Sequence, residues 1–195
     1  MLEQKSNSKS NISEALIGQF RCYYELGNTG KTVELGNKIL TLENLPQEIK
    51  REVKFKTAKS LYTEKNYTDA LSIFRELSSE VVSKEGAESK FRVAEIYYLQ
   101  NNIDKAEDVI VNYIEQTTPH EYWIAKSFIL WSDIFLKRND SFQAMQTLQS
   151  VIDYYDNKDD GIIKLANEKY EKIKNEKDKN LAPGKQEDVE IRIED

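Results

Sequence analysis

Apolar and polar positions along the chain recur with a period of 36 to 38 residues. Four similar polar stretches begin 38, 36 and 38 residues apart, at Asn28, Asn66, Asn102 and Asp140. Two columns of residues precede these stretches at constant distances, namely Phe20, Ala58, Ala94 and Ser132 in one column and Tyr23, Leu61, Tyr97 and Phe135 in the other. A fixed period of this size is typical of a solenoid. Because members of the two columns stand three residues apart, they share one face of a helix.

The periodicity predicts four helix pairs and one further helix. In each pair the first helix, called helix A, ends at the polar stretch, and the second, called helix B, begins there. Residues 159–161 start a last helix whose mostly polar outer side suits a terminal cap. We therefore expect an all-α, right-handed superhelical solenoid of about four antiparallel helix pairs plus a C-terminal capping helix. The expected domain spans residues 11–174, after a disordered N-terminal segment over 1–10 and before a charged, disordered tail over 175–195.

The small residues in the first column have a packing reason. Where helix A crosses helix B, Ala58 and Ala70 or Ala94 and Ala106 let the two backbones approach. This pattern resembles the tetratricopeptide repeat (TPR) family, which places a small residue and an aromatic on helix A, an Ala near the start of helix B and an aromatic four residues later. The match is good around Ala58 and poor around Phe20, and the period differs from the thirty-four residues of that family.

The resemblance implies a non-catalytic scaffold that binds a protein or peptide in a concave groove lined by the A helices. The composition is also similar to bacterial cell-envelope TPR proteins, such as outer-membrane assembly lipoproteins. That likeness implies association with a cell-envelope assembly, with a lean to the periplasm or envelope if the chain is the C-terminal part of a longer exported protein. The identity of the partner and the compartment stay open.

Charge and composition exclude several classes of partner. Charged residues make up 32% of the chain, and the net charge is −6 with both signs interspersed, so there is no basic stripe for nucleic acid. No run approaches eighteen apolar residues, which argues against membrane insertion. Cys22 and His120 are the only residues of their types. The sequence therefore predicts no metal site and no cofactor.

One motif suggests a different function. Gly30-Lys31-Thr32 ends like a phosphate-binding loop, so the alternative to a scaffold is a nucleotide-regulated switch or an enzyme that uses this turn. A phosphate-binding loop needs a glycine where Glu25 stands and a strand before it, whereas the sequence predicts a preceding helix. We therefore expect no enzymatic activity.

A second stripe on the A helices is the candidate binding surface. Offsets of three, seven and ten residues keep each quartet of the stripe on one helical face. The apolar and charged members of the stripe that we expect to contact a partner are Ile17, Arg21, Tyr24, Phe55, Lys59, Tyr62, Phe91, Glu95, Tyr98, Lys126, Ile129, Asp133 and Leu136; each quartet begins with a charged residue, namely Glu14, Glu52, Glu88 and Lys126. The competing interpretation is that the aromatics fill gaps between adjacent pairs. The stripe lacks the Lys and Asn of the carboxylate clamp of chaperone-binding TPR domains.

The end of the chain alternates apolar and charged residues over 189–194. A single strand cannot stand alone. The segment is predicted either to be disordered or to add a strand to the sheet edge of a partner.

Overall fold

The computed structural model describes the backbone of residues 2–181 and the side chains of residues 11–179. Within this range the chain forms nine α-helices and no strand. The helices are α1 (Leu2–Glu25), α2 (Thr29–Leu40), α3 (Gln47–Thr63), α4 (Tyr67–Leu77), α5 (Lys84–Leu99), α6 (Ile103–Ile114), α7 (Glu121–Lys137), α8 (Ser141–Tyr154) and α9 (Ile162–Leu181). The predicted four pairs plus a capping helix are confirmed.

Helix packing places the A helices in one layer and the B helices in another. Each B helix packs both on the A helix of its own pair and on the A helix that follows it. Successive A helices also contact one another at the α3–α5, α5–α7 and α7–α9 positions. The odd-numbered helices therefore form a continuous layer along the solenoid.

The first column read from the sequence is buried inside the stack, at Phe20, Ala58, Ala94 and Ser132. The second column is buried at Leu61 and half-buried at its other members. Ala58, Ala70, Ala106 and Ala144 are fully buried. In the first pair the small residue lies elsewhere, because Phe20 is large and Gly36 on α2 provides the close approach. A Cβ atom on Gly36 would lie 2.1 Å from Thr57 Oγ1 on α3. The poor match of the first repeat to the family pattern thus has a packing reason.

All four turns between helix A and helix B have the same backbone geometry. One residue in each turn adopts a positive φ, namely Gly27, Lys65, Asn101 and Asn139. The next residue donates its N–H to a carbonyl five positions earlier, as Asn66 does to Leu61 at 2.9 Å. This is the Schellman motif, which satisfies carbonyls at the end of helix A. The same residue then begins helix B, and Asn28, Asn66 and Asp140 cap it with a side-chain oxygen.

Two predicted boundaries differ from the helix limits. α1 includes residues 2–10, which we predicted to lie before the repeat domain, and α9 continues past residue 174 into the predicted tail. Both stretches lack proline and glycine. Extending an existing helix adds one hydrogen bond per residue without the cost of nucleation, so a missing apolar pattern alone does not end a helix. The alternating segment over 189–194 lies outside the described residues.

Candidate partner-binding surface

The layer of A helices brings the predicted stripe into one surface, which we call the A surface. Contacts between successive helices link its members. Arg21 on α1 pairs with Glu52 on α3, Lys59 on α3 pairs with Glu88 on α5, and Asp133 on α7 pairs with Lys169 on α9. The stripe residues on α1, α3, α5 and α7 therefore lie side by side.

At the α1–α3 interface, Arg21 holds Glu52 with two hydrogen bonds. The guanidinium donates from Nε to Oε1 at 2.9 Å and from Nη2 to Oε2 at 2.5 Å. The hydrogen bond from Arg21 lowers the pKa of Glu52, against the opposing effect of burial. Lys56 also pairs with Glu52 and lies 4.8 Å from the centre of the Tyr24 ring. The charges of this interface therefore neutralise one another.

The α3–α5 interface, called the charged interface, contains a denser network. Glu88 is 5% exposed and accepts hydrogen bonds from Arg92, while the Lys59 ammonium lies 3.2 Å away. Arg92 also pairs with Glu95 at 2.6 Å. The Tyr62 hydroxyl donates to Glu95 at 2.9 Å. Every charge in this network has an opposite partner.

The same network shifts two pKa values. Burial and the negative charge of Glu95 raise the pKa of Tyr62 to about 12. Burial disfavours the charged form of Arg92, but the carboxylates of Glu95 and Glu88 outweigh it and raise the pKa of the guanidinium. Arg92 is therefore charged, and it stacks 5.0 Å from the centre of the Tyr62 ring.

The α5–α7 interface, called the aromatic interface, is built differently. Phe91 on α5 packs against Trp123 on α7 with ring centres 5.4 Å apart. Lys126 lies 5.5 Å from the Phe91 ring and Lys137 lies 4.4 Å from the Tyr98 ring. Lys137 also donates to Asn101 Oδ1 at 3.0 Å. Among the described residues, neither ammonium has a carboxylate partner.

The stripe residues differ in how much of each side chain is accessible. Phe91 is 2% and Ile129 4% exposed, so both fill the space between helices and do not line a groove, contrary to our expectation for them. The half-buried members are Ile17, Tyr24, Phe55, Lys59, Tyr62, Glu95, Tyr98, Lys126 and Asp133. Arg21 and Leu136 are exposed. The two buried members lie on α5 and α7, and the two exposed members lie on α1 and at the end of α7.

Sequence reasoning missed Arg92, Trp123 and Lys137 as members of the A surface. The ion pairs between A helices carried a detectable signal, since Arg21 precedes Glu52 by 31 residues and Lys59 precedes Glu88 by 29. Opposite charges nearly one period apart on equivalent helices could have indicated these contacts. No comparable sequence pattern indicates Trp123, because no aromatic residue stands one period before it.

The glycine–lysine–threonine turn lies in the first turn of α2. Thr32 is buried and its hydroxyl donates to the Asn28 carbonyl at 2.8 Å. Lys31 pairs with Glu34 at 2.7 Å. A helix, α1, precedes the turn. The side chains that would hold a phosphate in a phosphate-binding loop are engaged within the chain, and the preceding strand is absent.

The described residues include neither a cluster that could hold a metal ion nor a helix that could span a membrane. In that part of the chain no three His, Cys, Asp or Glu side chains are grouped so that they could hold a metal ion. No helix among the same residues is long and apolar enough to span a membrane.

Comparison with known proteins agrees with the repeat seen in the fold. Residues 122–158, which include nearly all of α7 and the whole of α8, match the family model of the tetratricopeptide repeat. No curated protein sequence matches the chain.

Two solved structures have a similar fold. One holds the TPR-like repeats of a protein described as a kinesin light chain from Podosopora anserina, with a TM-score of 0.59 and 11% identity over 86% of this chain and 88% of that one. The other is BtubC, also called BKLC, from P. vanneervenii, with a TM-score of 0.62 and 12% identity over 99% of this chain and 92% of that one. Residues 122–158 thus match the tetratricopeptide repeat by sequence, and the fold of the whole chain is that of a TPR-like solenoid.

Proposed function

We propose that the chain is a non-catalytic scaffold that binds a peptide or protein segment along the A surface. Tetratricopeptide repeats generally mediate interactions between proteins, so a protein partner is the expected class. The observation that carries the proposal is the contrast within the A surface. Arg21, Lys59, Glu95 and Asp133 have oppositely charged partners. Lys126 and Lys137 instead present ammonium groups without carboxylates, Lys126 over the Phe91 ring and Lys137 over the Tyr98 ring.

The positions of the two lysines indicate the chemistry of the partner. They are eleven residues apart on α7, which places them on the same side of the helix and about 16 Å apart along its axis. An extended segment covers that distance in about five residues. Leu136, 37% exposed, offers an apolar contact nearby. The proposed partner segment therefore carries two carboxylates about five residues apart, with an apolar side chain close to the second.

The N-terminal half of the A surface has a different role in this proposal. Arg21 and Lys59 are engaged by Glu52 and Glu88, so these cations hold neighbouring helices together. The carboxylate clamp of chaperone-binding TPR domains would need such side chains to be free. The compositional likeness to bacterial envelope proteins makes an acidic segment of an envelope assembly the first partner to seek.

The test reverses the two free charges. The double variant Lys126→Glu, Lys137→Glu is compared with Lys38→Glu, Lys105→Glu, which changes the same charge on the B helices α2 and α6. Peptides selected from a random displayed library on the unmodified chain are measured against both variants by calorimetry. We expect binding to the first variant to weaken by about 10-fold or more for each lost pairing, with unfolding free energies within about 0.5 kcal/mol.

Two results would contradict the proposal. One is a set of selected peptides without acidic residues. The other is equal affinity for the A-surface variant and the B-helix control, which would place binding elsewhere on the molecule.

A further inference from the structure

The charged side chains that α7 contributes to the A surface alternate in sign. Lys126, Asp133 and Lys137 stand seven and four residues apart, which places them on one side of the helix. Asp133 pairs with Lys169 through Oδ1, whereas the two lysines lie over aromatic rings. Lys126 lies about 16 Å from Lys137 along the axis, with Asp133 about 6 Å from Lys137. The side of α7 therefore presents positive, negative and positive charge in turn.

The segment that follows α9, outside the described residues, carries the opposite pattern. Residues 182–195 include five acidic and two basic side chains. Extended, this segment would place Glu190, Arg192 and Glu194 on one face, because successive side chains of an extended chain alternate. The two glutamates would be about 13 Å apart with Arg192 between them. The flexible stems of the α7 lysines can cover the small difference in spacing.

The end of α9 lies close to the end of α7. Short connections make consecutive helices antiparallel, so α9 runs beside α7 in the same direction. The pair between Lys169 and Asp133 fixes how the two helices align. Leu181 then lies about 12 Å beyond Lys137 along the axis and about 10 Å to the side. The distance to be covered is about 16 Å.

The linker between Leu181 and Glu190 matches that distance. A flexible linker of this length has a root-mean-square end-to-end distance of about 16 Å. Pro183 and Gly184 stand in it, and both favour a change of chain direction after a helix. A linker whose mean length equals the span gives the highest effective concentration, in the millimolar range. Weak ion pairs are therefore sufficient to hold the segment against α7.

We propose that residues 190–194 bind along α7 of the A surface in the same molecule, with Glu190 at Lys137 and Glu194 at Lys126. The inference rests on the proposed function, because the segment uses the same two lysines as the partner. A partner must displace the segment, so the chain regulates access to its own binding surface.

The linker also sets the direction of the bound segment. Glu190 at Lys126 would have to lie about 30 Å from Leu181, which is the full extended length of the linker. In the proposed direction Arg192 lies near Asp133, whose carboxylate can accept a further hydrogen bond besides that of Lys169.

A spin label locates the segment in the full chain by NMR. The label is attached at Asp195→Cys in a Cys22→Ser background, since Cys22 is exposed. We expect it to broaden the amide signals of α7 around Lys126, which a free segment would rarely approach. Glu190→Lys, Glu194→Lys should remove this broadening, because both ion pairs become repulsive.

A charge exchange tests whether the contact depends on these pairs. Adding Lys126→Glu, Lys137→Glu to the tail variant restores opposite signs and should restore the broadening. Glu171→Lys, Glu176→Lys is the matched control, because it makes the same change of charge at exposed positions of α9. The control should keep the broadening of the unmodified chain.

A synthetic peptide of residues 182–195 measures how far the chain's own segment occupies the surface. By calorimetry it should bind the Glu190→Lys, Glu194→Lys chain at least about 3-fold more tightly than the unmodified chain, whose own segment competes. The Glu171→Lys, Glu176→Lys control should bind the peptide as the unmodified chain does.

Three results would overturn the inference. They are broadening around Lys126 that persists in the tail variant, no recovery on charge exchange, and equal affinity of the peptide for the tail variant and the unmodified chain. Broadening seen only between a spin-labelled and a separate isotope-labelled molecule would assign the contact to a second copy and overturn it as well. The proposed function still stands after such a failure if library-selected peptides lose affinity for Lys126→Glu, Lys137→Glu.

Discussion

The charged and aromatic interfaces join α5 to its two neighbouring A helices by different means. On one side Glu88 and Glu95 meet Lys59 and Arg92, and all four charges are balanced. On the other side Phe91 packs on Trp123, and no ion pair crosses at this level among the described residues. At the charged interface the side chains neutralise one another, so little unpaired charge is left on the surface. At the aromatic interface the helices are joined by apolar packing, so the ammonium groups of Lys126 and Lys137 remain available to a partner.

The substitution with the largest expected effect disrupts the aromatic interface. Phe91→Ala should lower the free energy of unfolding by about 3–5 kcal/mol, because it empties a site that is 2% exposed and removes the contact with Trp123. Chemical denaturation by urea measures the change, and its size should be the same at low and high salt. A loss below about 1 kcal/mol would show that Phe91 does not join the two helices.

The substitution with the next largest expected effect disrupts the charged interface. Glu88→Gln leaves Arg92 with Glu95 alone and Lys59 without a carboxylate, in a setting where Glu88 is 5% exposed. We expect a loss of about 1.5–3 kcal/mol, the size of a lost hydrogen bond to a charged group, reduced in 1 M salt because part of the network is accessible to ions. Glu85→Gln on the same helix is the control and should change stability by no more than about 0.5 kcal/mol. Equal losses in the two variants would contradict a specific role for the network.

The smallest expected effect is that of Tyr62→Phe at the charged interface, and its dependence on pH tests the contact with Glu95. Tyr62→Phe removes the hydrogen bond to Glu95 and should cost about 1 kcal/mol at neutral pH. The folded pKa of Tyr62, about 12, lies above the value near 10 for an unfolded tyrosine. The protonated hydroxyl therefore stabilises the fold fully below pH 10, and this contribution disappears as pH rises toward 12.

Unfolding measured from pH 8 to pH 12 should show the difference between Tyr62→Phe and the unmodified chain narrowing above pH 10. Tyr154→Phe, at an exposed position, gives the background for the other tyrosines. A constant difference over this range would mean that Tyr62 is not held by Glu95.

The fold could be predicted from the sequence because its determinants repeat. Ala58, Ala94 and Ser132 stand at the same place in successive units, so three examples support one interpretation. The spacing of residues also predicted which face of each A helix contributes to the A surface. Burial of Phe91 and Ile129 did not, because spacing fixes the direction of a side chain along its own helix and says nothing about how far the next helix covers it.

A pocket at the edge of the solenoid, between the start of α7 and the end of α8, is lined by Ile124, Ala125, Phe128 and Val151 among other residues. The sequence did not predict this pocket, for a related reason. It arises where a repeat is interrupted, from Val151 in place of Tyr113 and from the way α9 meets α7 and α8. A feature that arises where one repeat differs from the others occurs once in the chain. No second example is present from which it could be predicted. The ends of α1 and α9 are similar, since no neighbouring repeat indicates where a terminal helix stops.

The uniform turn between helix A and helix B bears on how such proteins diverge. Its hydrogen bonds are made by the main chain, and its one requirement is a positive φ at a residue that here is Gly, Lys, Asn and Asn in turn. Lys65 carries this conformation at a cost of about 1 kcal/mol, so selection has room to change even the most constrained position. Each repeat can lose its sequence signature and keep its shape. Accordingly, the family is recognised by sequence in residues 122–158, while likeness of fold extends over 99% of the chain.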